Sequence, residues 1–345
     1  MRRNAVNPAR GALTLLSLFA VLGGCALVDQ KPDEVVVRQP GNRAYDDPIA
    51  VAKLAPGQLP FAILSENAYF DVESRDLLRD KLKQQCGLGD DEIAKLVRRR
   101  NTREGCERLP HPGWTMWPDF PRGETWCAAT HNGLHVEVWE KSAAPRTIAV
   151  VFRGTEFTDL HDWEANLRWF LRFLPWFEDQ YSVVGKRLAG DVERELLARL
   201  ARDPKALDGV EIVSTGHSLG GGLAQNFAYA FPPKGAQSSV RPVARVYAFD
   251  PSPVTGWSAV ASDVREVNAA KLATARIFEH GEVLAFIRLA ISYVLPPSKE
   301  APAVSEIRYN FVAKHNPVTN HSMRRLALGM MEAVGEQIPP SCGDR

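Results

Sequence analysis

The chain of 345 residues has little that would mark it for nucleic acid. Its 42 lysines and arginines nearly balance 41 aspartates and glutamates, leaving a formal net charge of +1. No basic stripe breaks that balance, so nucleic acid is not expected as a partner. Only five cysteines occur and none forms a C-x-x-C pair, which argues against a zinc site. Internal repeats and low-complexity blocks are absent. The composition, 45% hydrophobic and 24% charged, is globular and suits one large domain or two small ones.

What is present begins at the N-terminus. MRRNAVNPAR supplies three arginines and no acid, and the apolar stretch GALTLLSLFAVLGG follows. A charged start and a core too short to span comfortably as a mature helix are the layout of a secretory signal. The stretch ends at Leu22-Gly23-Gly24-Cys25, which resembles the lipobox of bacterial lipoproteins. By that resemblance residues 1–24 are a signal peptide and Cys25 becomes the lipid-bearing first residue. Several acyl chains on one cysteine anchor a protein durably without a spanning helix. Ala26 after the cysteine favours the outer membrane of a bacterial envelope, facing periplasm or exterior.

The four remaining cysteines, Cys86, Cys106, Cys127 and Cys342, suit two disulfides in an exported chain. Of the three possible pairings, Cys86 with Cys106 and Cys127 with Cys342 are expected. Residues 25–58 mix proline, glycine and charge and read as a tether; residues 59–345 read as the folded domain. Apolar spacing predicts a helix from Leu59 to about Asp80, while 81–121 resists assignment. TWCAATHNG, LHVEVWEK and TIAVVFRG read as strands, with Asn132-Gly133 a hairpin signal.

Beyond Phe152 strands alternate with helices. DVERELLARLAR (191–202) predicts an amphipathic helix and VEIVST (210–215) a buried strand. GGLAQNFAYAF continues as a helix. VARVYAF (243–249), TARIFEH (274–280) and IRYNFVA (307–313) are further strands, and HSMRRLALGMMEAV (321–334) a closing helix. The alternation predicts an α/β fold whose mainly parallel sheet is covered on both faces. Sites in such sheets gather at the C-terminal strand ends.

GHSLGGGLA (216–224) therefore sits between a buried strand and a helix. That is the context of a nucleophile elbow, with Ser218 at the apex and Gly216 and Gly220 relieving crowding. The elbow STGHSLGGGLA, the upstream AVVFRGTE, the acidic and tryptophan-bearing FTDLHDWEANL and the helix FAILSENAY together resemble the class 3 lipases, an α/β-hydrolase family. The resemblance runs from about Leu59 to Met331, with 81–122 and the segment after Pro296 matching poorly. It implies an oxyanion hole formed by the backbone N–H groups of Thr155 and Leu219.

The base and acid follow the serine in chain order in this fold. His280, His315 and His321 qualify, and His321, which follows the last strand and opens an apolar helix, fits the family best; His315 is the second choice. His217 reads as a packing residue beside the sheet. For the acid the resemblance implies Glu282, where the family usually carries aspartate; Asp250, at the end of the preceding strand, is the alternative. These parts describe a Ser-His-acid hydrolase that passes through an acyl-enzyme and needs no cofactor or metal.

The segment 163–177 carries Trp163, Trp169, Phe170, Phe173, Trp176 and Phe177 among Arg168 and Arg172. It reads either as a lid that meets lipid or as an amphipathic helix packed on the sheet. The expected function is an envelope-anchored lipase or esterase cleaving acyl esters of lipids. Phospholipase A-type activity, or a non-catalytic lipoprotein that binds through the hydrolase fold, are the alternatives.

Overall fold

The computed structural model describes residues 33–42, 44–70, 74–99, 107–154, 180–285, 288, 302–312 and 316–339. Cys25, Cys106, Thr155, the aromatic segment 163–177, His315 and Cys342 lie outside them. A single nine-stranded sheet organises the chain. In chain order its strands are β1 (Glu34–Arg38), β2 (Tyr45–Asp46), β3 (Trp114–Met116), β4 (Val136–Lys141), β5 (Thr147–Phe152), β6 (Glu211–His217), β7 (Arg245–Phe249), β8 (Ala273–Glu279) and β9 (Ala303–Tyr309). Across the sheet they run β2-β1-β9-β8-β7-β6-β5-β4-β3. From β5 to β9 every pairing is parallel, and antiparallel strands close both edges.

The parallel strands are apolar on both sides because both faces are covered. In β5, Ile148, Val150 and Phe152 enter one core, while Ala149 and Val151 enter the other. The first core packs under α5 (Ala189–Arg202) and α6 (Leu219–Ala230), through Val192, Leu196, Leu223 and Phe227. The second packs under α1 (Ala55–Asn67) and α8 (Met323–Ala333), through Leu59, Ile63, Leu326 and Met330. Between them in sequence come α2 (Arg75–Cys86), α3 (Asp90–Arg99), α4 (Gly123–His131) and α7 (Ser262–Ala269). The α/β-hydrolase architecture expected from the alternation is the one found.

Several expectations are corrected. The helix expected from Leu59 to Asp80 is two helices, α1 ending at Asn67 and α2 starting at Arg75 with Ser74 as its cap. The unassigned stretch 81–121 contains α3 and β3. Leu78 and Leu82 of α2 meet Ile93, Leu96 and Val97 of α3 in a small core of their own. TWCAATHNG is not a strand but α4, whose Thr125 and Ala129 recur at helical spacing and are buried. Asn132-Gly133 ends that helix rather than turning a hairpin. Gly133 takes φ +69° and its N–H donates to the Thr130 carbonyl, a left-handed helix stop. The strand expected over 307–313 runs Ala303–Tyr309 instead.

The expected tether is also shorter than 25–58. Glu34–Arg38 is a sheet strand whose Val35 and Val37 face the second core, and α1 begins at Ala55. Three consecutive β-branched valines fit a half-buried edge strand.

Cys86 pairs with Cys127, not with Cys106. The end of α2 packs against α4, which brings the two Cα atoms to 5.5 Å and makes the expected pairings of both cysteines incorrect. The bridge spans 41 residues of sequence, for which chain entropy alone gives about 4 kcal/mol of stabilisation. Cys127→Ser is expected to lose several kcal/mol in urea unfolding, and non-reducing peptide mapping to yield a Cys86–Cys127 fragment. A Cys86–Cys106 fragment would overturn the assignment.

Candidate active site

Strand β6 delivers the serine. Its last residue, His217, is followed at once by Ser218, and α6 starts at Leu219. Ser218 takes φ +57° and ψ −123°, a conformation that costs a non-glycine residue about 1–3 kcal/mol. The surroundings hold it there. Its N–H donates to the Phe249 carbonyl at 2.9 Å, and its carbonyl accepts from Gly221 at 3.0 Å and Ser252 at 2.9 Å. The flanking glycines are steric necessities. A Cβ on Gly216 would lie 2.5 Å from the Phe152 carbonyl oxygen, and one on Gly220 only 2.2 Å from the same atom. The sharp turn therefore nests directly against the end of β5.

Two loops bring the other side chains to the serine. Glu282 follows β8 by three residues, and His321 lies just before α8. The loops are tied together: Val283 N–H donates to the Pro317 carbonyl at 2.9 Å, and the Asn320 amide to the His280 carbonyl at 3.0 Å. His321 Nε2 lies 3.0 Å from Ser218 Oγ, and its Nδ1 lies 2.8 Å from Glu282 Oε2. With the hydroxyl donating to Nε2, Nδ1 carries the proton given to the carboxylate. Ser218, His321 and Glu282 are 1%, 5% and 0% exposed, so the chain of bonds runs in a water-poor setting.

Glu282 stays charged there. Burial by itself would raise its pKa, but the Arg288 guanidinium, the His321 ring and the Leu284 N–H together hold it below the ordinary glutamate value. Arg288 donates to Glu282 Oε1 and, at 2.9 Å, to the Pro251 carbonyl. Sequence reading missed Arg288, although a lone arginine inside the apolar run VLAFIRLAISYVL signals a buried partner.

Asp250 is close but differently placed. Its Oδ1 accepts the Glu279 N–H at 2.9 Å; its Oδ2 has no partner among the described residues and stands 3.9 Å from His217 Nε2. Burial first, and the neighbouring Glu282 charge second, push its pKa well above the ordinary aspartate value. Asp250, too, sits at a strand end with positive φ, +39°.

His217 does more than pack. Its Nδ1 accepts from the Tyr69 hydroxyl at 2.7 Å and its Nε2 donates to the His321 carbonyl at 3.0 Å. The ring thereby braces the backbone of the neighbouring histidine. His217, Asp250 and His321 bring ligand-type atoms within 4.8 Å of one another. Both nitrogens of each imidazole are already hydrogen-bonded, so a metal there would have to break the Ser218 and Glu282 bonds or the Tyr69 brace.

Leu219 heads α6, so its N–H has no acceptor within the helix. Thr155 is beyond the described chain, but Gly154 directly before it lies against the elbow: its Cβ would fall 2.3 Å from the His217 carbonyl oxygen and 3.0 Å from Ser218 Cβ.

Residues 149–287 match the family model of the class 3 lipases. Over that stretch the chain is similar to that family. The matched stretch begins in β5, crosses the elbow and ends just beyond Glu282, leaving His321 outside it. That similarity supports a hydrolase of lipid esters. A search of curated proteins gave no match, so the substrate has to be argued from the chain's own chemistry.

Proposed function

We propose that the protein is a serine ester hydrolase, anchored by a lipid on Cys25 to a bacterial envelope membrane, that cleaves acyl esters of lipids. The observation that carries the proposal is the buried line from Ser218 Oγ through His321 to Glu282, at 3.0 and 2.8 Å. A hydroxyl is a weak nucleophile without a base to take its proton. His321 Nε2 takes that proton while Ser218 Oγ attacks the ester carbonyl carbon. The negative charge that develops on the carbonyl oxygen falls to the N–H groups of Leu219 and Thr155, at the positive end of α6. The tetrahedral species collapses as His321 returns the proton to the leaving alcohol, giving an acyl-enzyme on Ser218. Water then gives a proton to the same nitrogen as it attacks the acyl carbon, and the second tetrahedral species collapses as His321 returns that proton to Ser218 Oγ, releasing the fatty acid and restoring the serine. Glu282 fixes the tautomer throughout and balances the imidazolium charge, as its lowered pKa requires.

A fluorophosphonate probe tests the serine: the folded wild type is expected to label on Ser218, and a wild type that refuses the label would sink the hydrolase reading. Anchoring is tested separately. Cys25→Ser is expected to lose incorporation of labelled fatty acid, and labelling that persists in this variant would defeat the lipoprotein reading.

A further inference from the structure

The strand that follows the anchor enters the sheet from the same end as the serine. Strand β1 is antiparallel to β9, with Glu34 opposite Arg308, one residue from the C-terminal end of β9. Arg308 pairs in turn with Phe278 of β8. One rung below, Ile277 pairs with Phe249, and Phe249 with His217 beside the serine. The start of β1 and the elbow thus share one rim of the sheet. Four strand steps separate them, about 19 Å at ~4.8 Å per step. The Glu34 carboxylate is ion-paired with Arg308, pinning the point at which the chain enters.

The chain returns to that rim after β2. Asp47 N–H donates to the Val35 carbonyl, and the Val51 carbonyl accepts from the Tyr309 hydroxyl. Between them Ile49 is 44% exposed, an apolar side chain in the segment that joins these two contacts.

Eight residues lie between Cys25 and Glu34, nine Cα steps with a reach of at most about 30 Å. A tether extending to residue 58 would reach about 110 Å by the same arithmetic. With the short tether the start of β1, on the same rim as the serine, is held within about 30 Å of the anchor.

We infer that this enzyme works on acyl lipids of the leaflet in which it is anchored, in preference to lipids of another membrane. The inference rests on the proposed serine hydrolase and on lipidation of Cys25, and adds to them the direction in which the site faces. Tethering converts a bimolecular encounter into one at a fixed high local lipid concentration.

The test uses the full-length lipidated protein in vesicles of phosphatidylethanolamine and phosphatidylglycerol with deuterated acyl chains, mixed with protein-free vesicles of the same lipids unlabelled. Deuterated fatty acid is expected to be released at least about tenfold faster than unlabelled, and insertion of an approximately thirty-residue Gly/Ser stretch between Gln30 and Lys31 to reduce that preference severalfold. Turnover of a soluble short-chain ester should be the same with and without the insertion, which verifies folding. Equal release from both vesicle populations, or a preference indifferent to the inserted stretch, overturns the inference. Absence of soluble-ester turnover in every form would instead strike the hydrolase reading, and the inference with it.

Discussion

Ser218→Ala is expected to lower kcat for a soluble ester by about 10⁴- to 10⁶-fold, the loss seen when a triad nucleophile is removed. The residue's other duties are all carried by its backbone, which alanine keeps: the bond to the Phe249 carbonyl and the two accepted from Gly221 and Ser252. Alanine also inherits the positive φ at no greater strain than serine, since both carry one Cβ. The deleted hydroxyl contributes one hydrogen bond, to His321 at 3.0 Å, worth about 1 kcal/mol. Melting temperature should therefore shift by no more than about 4 °C, so the loss of turnover cannot be charged to unfolding. Fluorophosphonate labelling should vanish with it. A variant that keeps a tenth of the wild-type rate would remove Ser218 from the mechanism.

The alternation of strand and helix after Phe152 was legible because each parallel strand is a short apolar run closed by turn residues, and the helices between them carry one apolar face. The elbow was legible for a sharper reason: glycines at 216 and 220 leave room for the Phe152 carbonyl, and few other residues fit there. What sequence reading lost were short elements whose identity is set by tertiary partners. The β1 valines lie among proline, glycine and charge, and only the open edge of β9 makes them a strand. In α4, tryptophan and threonine favour strand locally, but the covalent and packing contacts to α2 override that preference. At the site, Ser218 follows from the elbow, whereas chain order alone leaves His280, His315 and His321 as bases and does not choose between Glu282 and Asp250. Each closes a strand or follows one closely, and only the path of the loop after β8 separates them. His217 and Tyr69, 148 residues apart, have no pattern linking them.

The two carboxylates are expected to part company on isosteric replacement. Glu282→Gln should reduce kcat by about 10³- to 10⁴-fold, because an amide at 2.8 Å from His321 Nδ1 can present its NH₂ and favour the wrong tautomer. It also leaves Arg288 facing an uncharged partner, so a modest fall in stability should accompany the loss. Asp250→Asn should cost less than about tenfold. Burial already disfavours the charge that the substitution removes, and asparagine reproduces the side chain's size and its acceptor for the Glu279 N–H. The linkage signs differ as well. The native state binds the Asp250 proton more tightly than the unfolded chain does, so its share of stability is present at low pH and is lost as pH rises through the raised value. Glu282, with its pKa depressed, contributes above the ordinary glutamate value and loses that share as pH falls through the lowered one. Urea unfolding as a function of pH should therefore lose part of its decline toward low pH with Glu282→Gln, and with Asp250→Asn part of the decline that sets in as pH rises past the ordinary aspartate value. A larger loss of turnover at Asp250 than at Glu282 would transfer the role of triad acid to Asp250. The line through Ser218 and His321 would then have to reach a carboxylate whose Oδ1 already accepts the Glu279 N–H and whose Oδ2 has no hydrogen-bond partner among the described residues.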